Sequence, residues 1–201
     1  MSPRTEETNQ HIRDEQKRKI LDVAAKVFAR KGYAATKMAD IASEADISYG
    51  LAYHYFTNKE TIFSTLVEHE LQGAMTLIRH AQQLPGTPFE RIQTMVTLML
   101  DGMRRKPEAF MVVQQAMTND AIPAEIRDIT LQRSLESIEA FKQLIIEGQM
   151  AGQLAAGNPD RLAILFSSCI QGLAVWTIFF NSTTENFPTA DDVLRFLQPV
   201  A

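Results

Sequence analysis

Apolar positions recur at intervals of three and four through most of the chain, the period of a helix with one buried face. Ile20, Val23, Ala24, Val27 and Phe28 form the first stripe. It predicts a helix over residues 10–30, ended by Gly32 as a C-terminal cap, with Tyr33 folding back on the core. Residues 1–9 are polar and predict a mobile arm. Met38, Ile41, Ala42 and Ala45 form a second, shorter stripe. Thr36 precedes it as an expected N-cap, and Asp40 places negative charge near the helix's positive end. Asp46 tolerates the left-handed conformation that ends such a helix, Ile47 enters the core, and Ser48 caps a further short helix reaching Tyr55. Thr57 and Glu60 then read as a capping box that opens a helix of about 25 residues. Ile62, Phe63, Leu66, Val67, Leu71, Ala74, Leu77, Ile78 and Ala81 mark its buried side.

Proline punctuates the rest, because it is excluded from helix interiors but suits first turns and breaks. Pro85, Pro88, Pro107, Pro123, Pro159, Pro188 and Pro199 divide the remainder into helices over 89–105, 108–118, 124–151, 161–180 and 190–197. Val, Ile and Thr never cluster between turn signals at strand spacing, so the predicted class is all-α with about nine helices.

Composition changes this picture little. The 201 residues are 45% apolar and 22% charged, a globular balance. No apolar run reaches the roughly 18 residues of a membrane span, and the polar N-terminus points to the cytoplasm. A lone cysteine, Cys169, excludes a disulfide or cysteine-built metal site within one chain. HExxH, Walker A and GxGxxG patterns are absent, and neither a metal nor a cofactor is expected. Net charge is -4, but residues 1–60 hold ten Lys/Arg against nine Asp/Glu while the remainder holds ten against fifteen. An acidic body behind a mildly basic face would orient the protein on a polyanion.

Two short helices and a tight turn between Thr36 and Phe56 match a helix-turn-helix, whose second helix enters the DNA major groove. That second helix concentrates Tyr49, Gly50, Tyr53 and His54. From Ile20 to Phe63 the chain resembles the N-terminal domain of the TetR family of bacterial transcriptional regulators. Ala24, Phe28, Gly32, Tyr33, Thr36, Asp40, Ile41, Ala42, Ala45, Ile47, Ser48, Gly50, Tyr53, Phe56, Lys59 and Glu60 carry the resemblance. Two positions depart from it. Asp46 stands where the family usually has Gly, and Ala52 where a larger aliphatic residue is usual.

The resemblance implies a DNA-binding domain over 1–58, its motif at about 37–56, and a helical effector-binding and dimerisation domain over 59–201. By position, Tyr49, Gly50 and His54 would face the groove, while Thr36, Ser48, Tyr53 and Lys59 would hold phosphates. Lys37 and Lys59 flank the motif with positive charge. In the body, Met95, Met99, Met103, Phe110, Met117 and Phe141 are a Met- and Phe-rich set able to line a cavity, with Gln114, Gln115, Thr118 and Asn119 as polar anchors. Equally, the apolar set could simply fill a core.

Leu162, Leu165, Phe166, Cys169, Leu173, Trp176 and Phe180 cover more than one face of their helix, and Gly172 sits in its middle where a neighbour can approach. With Leu194 and Leu197 they match, by position, the family's paired dimer helices. The expected function is therefore a homodimeric repressor, released from a near-palindromic operator by a small hydrophobic or amphipathic effector. The alternatives are a ligand-binding or protein-interaction module without a DNA role, and an enzyme using His11, His54, His69 or His80 as base.

Overall fold

The computed structural model describes residues 3–179 and 186–199. Nine α-helices and a final 3-10 turn are the regular elements of the described residues, with no strand among them. α1 spans Pro3–Lys31, α2 Met38–Glu44, α3 Tyr49–Tyr55 and α4 Lys59–Gln83. α5 spans Pro88–Arg105, α6 Pro107–Thr118, α7 Ala124–Met150, α8 Pro159–Phe179 and α9 Ala190–Leu194, which runs into a 3-10 turn at Arg195–Leu197.

The boundaries follow local chemistry. α1 ends where Gly32 takes φ +77 and donates its N–H to the Phe28 carbonyl at 2.8 Å. It begins at Pro3, so residues 3–9, expected to form an arm, are helical in backbone. Two caps fall one residue later than expected. Lys37, not Thr36, occupies the N-cap of α2, and the Asp40 carboxylate accepts the Lys37 N–H at 2.9 Å. Asn58, not Thr57, caps α4 by accepting the Thr61 N–H at 2.8 Å. Ser48 caps α3 as expected, accepting the Leu51 N–H at 3.2 Å. Between α2 and α3, Asp46 sits at φ +55, a left-handed turn position in a residue type that tolerates it. Thr87 and Glu90 cap α5 reciprocally, at 2.8 and 3.3 Å.

Buried side chains form two cores. The head core joins α1, α2, α3 and the first half of α4, and it also takes Val112 and Ala116 from α6 and Ile122 from the α6–α7 loop. At its centre the Phe28, Tyr33 and Phe63 rings meet at centroid distances of 4.9–6.0 Å. The body core joins the end of α4 to α5, α7, α8 and α9, with Phe141 stacked on Phe166 at 4.1 Å. α9 is short. Its Leu194, and Leu197 just beyond, are fully buried in this intrachain core.

Candidate functional site

The outward face of the motif is built by α3. Ala52 faces inward with no exposure, which fixes the helix on the head core. Tyr49, Gly50, Tyr53 and His54 lie on the opposite side at spacings of one and four, all exposed, with Ser48 at the helix start. Gly50 has open space where a side chain would begin, so a groove wall could approach its backbone. The Tyr49 hydroxyl donates to the Tyr53 hydroxyl at 3.1 Å, and their rings meet edge to face at 4.8 Å. That hydrogen bond is the largest cause holding the Tyr53 phenol above its ordinary pKa. Lys37 is exposed at the entry to α2. Behind it, ion pairs Arg30–Glu44 at 2.9 Å and Lys31–Asp40 at 2.8 Å tie α2 to α1. The Lys31 hydrogen bond, first among the causes, holds the Asp40 carboxyl below its usual range.

Two expected phosphate ligands are turned inward. Thr36 is 1% exposed and donates its hydroxyl to the Gly32 carbonyl at 2.7 Å, so it locks the loop instead of meeting solvent. Lys59 donates from Nζ to the carbonyls of Tyr33, Ala34 and Thr36 at 2.9, 3.3 and 3.0 Å. Its ammonium also lies 4.6 Å from the Tyr33 ring centroid. A cation with three carbonyl acceptors and an aromatic face is committed to holding the 33–36 loop. Glu60 adds a further tie, accepting the Tyr33 hydroxyl at 3.0 Å. Burial is the first cause, and this hydrogen bond the second, of the raised pKa of that phenol.

Behind the head, α4, α5, α6, α7 and α8 line a half-open cavity of about 500 Å³. Met99, Phe110, Gln114 and Met117 line it, as the sequence suggested, together with Leu71, Ala74, Leu77, Leu98, Gly102, Ala109 and Val113. Ile170 and Ala174 of α8 contribute to the far wall. Polar groups are few: Gln114, Ser134 and Gln171, with His69, Glu70, Arg105 and Lys106 among the lining residues. Lys106 is already paired with Asp22 of α1 at 2.7 Å. Met95, Met103 and Phe141 do not line the cavity. They are at most 2% exposed and pack in the body core. Gln115 turns away to the head. Thr118 bonds the Gln114 carbonyl, and Asn119 accepts the Ala121 N–H. Helical period marked the apolar residues but could not show that the space is made by small ones, Ala74, Gly102, Ala109 and Ala174.

The apolar set of α8 also divides. Leu165 and Trp176 are 56% and 54% exposed, Gly172 is exposed with room for a neighbour, and Leu162, Cys169 and Leu173 are half-buried. Phe166, Leu194 and Leu197 are consumed inside the chain and offer nothing to a partner. Phe180 lies outside the described residues. The sequence reading missed Ile129, Leu131 and Leu135 of α7, which are 45%, 51% and 56% exposed. All four histidines are exposed, and the His69 ring lies 3.3 Å from the carboxylate of its neighbour Glu70.

A short capped helix held proud of a rigid head, with its polar aromatics outward, is the architecture of a helix-turn-helix DNA-binding transcriptional regulator. Residues 20–66 match the family described as bacterial regulatory proteins, tetR family. That stretch, from within α1 to the first half of α4, is what likens the chain to this family. The chain is similar to the HTH-type transcriptional repressor KstR of Mycobacterium tuberculosis, at 23% identity over 188 residues, 91% of this chain and 80% of that protein. It is also similar to the uncharacterized HTH-type transcriptional regulator YfiR of Bacillus subtilis, at 27% identity over 184 residues, 90% of this chain and 87% of that one. Among solved structures, the TetR family transcriptional regulator PfmR of Thermus thermophilus shares the fold, with TM-score 0.73, 22% identity, and coverage of 88% of this chain and 92% of that one. Each of these relatives is named a transcriptional regulator or repressor. Among the described residues, no helix is long and apolar enough to cross a membrane.

Proposed function

We propose that this regulator is a cytoplasmic homodimeric repressor that leaves a near-palindromic operator when a hydrophobic or amphipathic small molecule fills the cavity behind its head. The cavity carries this reading: about 500 Å³ of mainly apolar space, walled in part by α4 and α6, which also contribute to the head core. An occupant that fits one arrangement of these helices better than another shifts the population of head positions by that difference in affinity. Lys37, Ser48, Tyr49, Gly50, Tyr53 and His54 are the proposed DNA contacts. Gly50 admits close backbone approach, and Tyr49 presents an edge already oriented by Tyr53.

Dimerisation would use α8 with α7, because Leu165, Gly172 and Trp176 of α8 and Leu131 and Leu135 of α7 are among the exposed apolar or small residues of the body. A two-fold axis there would set two α3 helices toward successive major grooves. Trp176→Asp is therefore expected to leave a folded chain that sediments as a monomer and no longer grips its operator. A dimer of normal affinity would remove this face from the interface.

The effector test starts by selecting bound fragments from the source genome to obtain an operator. Decanol, decanoate and decylamine are then compared at equal chain length. Binding should raise the melting temperature by mass action and weaken the operator complex together. The preferred head group reports whether Glu70 or Arg105 meets it. If no member of the series stabilises the protein or loosens the complex, this effector reading is wrong.

A further inference from the structure

α6 faces two ways within a single turn. Gln114 and Met117 line the cavity, while Gln115 reaches the end of α1. Its Nε2 donates to the Phe28 carbonyl at 2.9 Å, and its Oε1 accepts the Tyr33 N–H at 3.1 Å. Because the partners are one carbonyl and one N–H, only this orientation of the amide satisfies both. A side chain bonded at one end could follow a moving helix by rotating. Bonded to backbone at both ends, Gln115 fixes α6 against the cap of α1. The same Phe28 carbonyl accepts the Gly32 N–H, and the loop beyond Tyr33 leads straight into α2. A displacement of α6 by an occupant of the cavity therefore reaches the head at the cap of α1.

We propose that Gln115 is the positioning residue through which occupation of the cavity changes the pose of the DNA-reading head. The proposal rests on the cavity being the effector site. The primary amide at the end of a glutamine offers a donor and an acceptor side by side on one flexible stem. Glutamate would present a carboxylate to the Phe28 carbonyl, and methionine would remove both hydrogen bonds to Gln115, leaving the Phe28 carbonyl only the Gly32 N–H.

The experiment uses the full chain and the selected operator, with 1-decanol as the probe. Operator affinity is measured by fluorescence anisotropy, with and without saturating decanol, for wild type, Gln115→Met and Gln115→Glu. Decanol binding is measured separately by calorimetry. Wild type should lose about tenfold in operator affinity, a usual coupling between sites, and both variants should bind decanol equally well yet lose less than about twofold. A second arm needs no ligand. Ala74→Phe fills the cavity from its wall, and is made in the wild-type and Gln115→Met chains. It should weaken operator binding in the first and hardly in the second, a non-additivity that a purely structural role of Gln115 would not produce. Variants that respond to decanol and to Ala74→Phe by the wild-type factor overturn the proposal. If decanol fails to bind wild type, the effector reading is in doubt, yet the Ala74→Phe cycle still decides the role of Gln115. If neither decanol nor Ala74→Phe alters wild-type operator binding, there is nothing for Gln115 to carry and the proposal falls.

Discussion

The head and the body solve opposite problems with the same kind of element. α2 and α3 are seven residues each, too short to persist alone, so the head holds them with tertiary ties. Three aromatic rings meet at its centre, Lys59 gathers three carbonyls, and two ion pairs pin α2 to α1. The body's α4, α5 and α7 run 25, 18 and 27 residues and bury long stripes of their own. They can leave a void between them without losing their paths. A surface that reads base edges must keep one geometry, whereas a surface that senses a ligand needs room for two. The head is tied where the body is open.

The contrast breaks if the two regions respond alike to truncation. Phe63→Ala should cost about 3–5 kcal/mol, because the ring is fully buried between Phe28 and Tyr33. Phe110→Ala should cost under about 2 kcal/mol, since that ring already borders empty space. Urea denaturation of both variants compares them directly. Lys59→Met should cost about 1–3 kcal/mol by leaving three carbonyls unpaired, without changing the salt dependence of operator binding. Lys37→Ala should do the reverse, lowering the salt slope by about one at unchanged stability. If Lys59→Met lowers the salt slope as well, its ammonium reaches DNA.

Met103→Trp sharpens the comparison within the body. Met103 is fully buried, so the change overpacks a core and should cost about 1–3 kcal/mol in a thermal melt. Met117→Trp projects into the cavity and should cost less. The smallest effect belongs to Asp46. At φ +55, Asp46→Gly should stabilise by no more than about 1 kcal/mol and Asp46→Ala should destabilise by a similar amount.

Much of the head was legible because its signals are local. A stripe, Gly32 after it and Ser48 before α3 act within a few residues, and each took its expected place. Thr36 and Thr57 misled for a local reason too. Each stands beside the residue that became the cap, and Thr36 found a better acceptor four residues back in Gly32. Lys59 could not be read, because its role depends on the 33–36 loop doubling back to it across more than twenty positions. In the body, period placed the Met residues on helices but not on a side of the void. Met95 and Met99 share a stripe, yet one is core and the other wall. Leu194 and Leu197 look alike in sequence whether they meet another chain or their own. The shortness of α9 and its seat in the body core decide it.

The head core has one further consequence. Val112, Ala116 and Ile122 belong to it although more than forty positions separate them from the end of the matched stretch at residue 66. A gene fusion that grafts residues 3–66 onto a foreign sensor would strip those three side chains from the packing and bare the flank of α1 and α4 to water. Recombination that keeps α6 with its own reading helix inherits an intact unit, and shuffling at the obvious seam does not. The heritable module in this architecture is discontinuous in sequence.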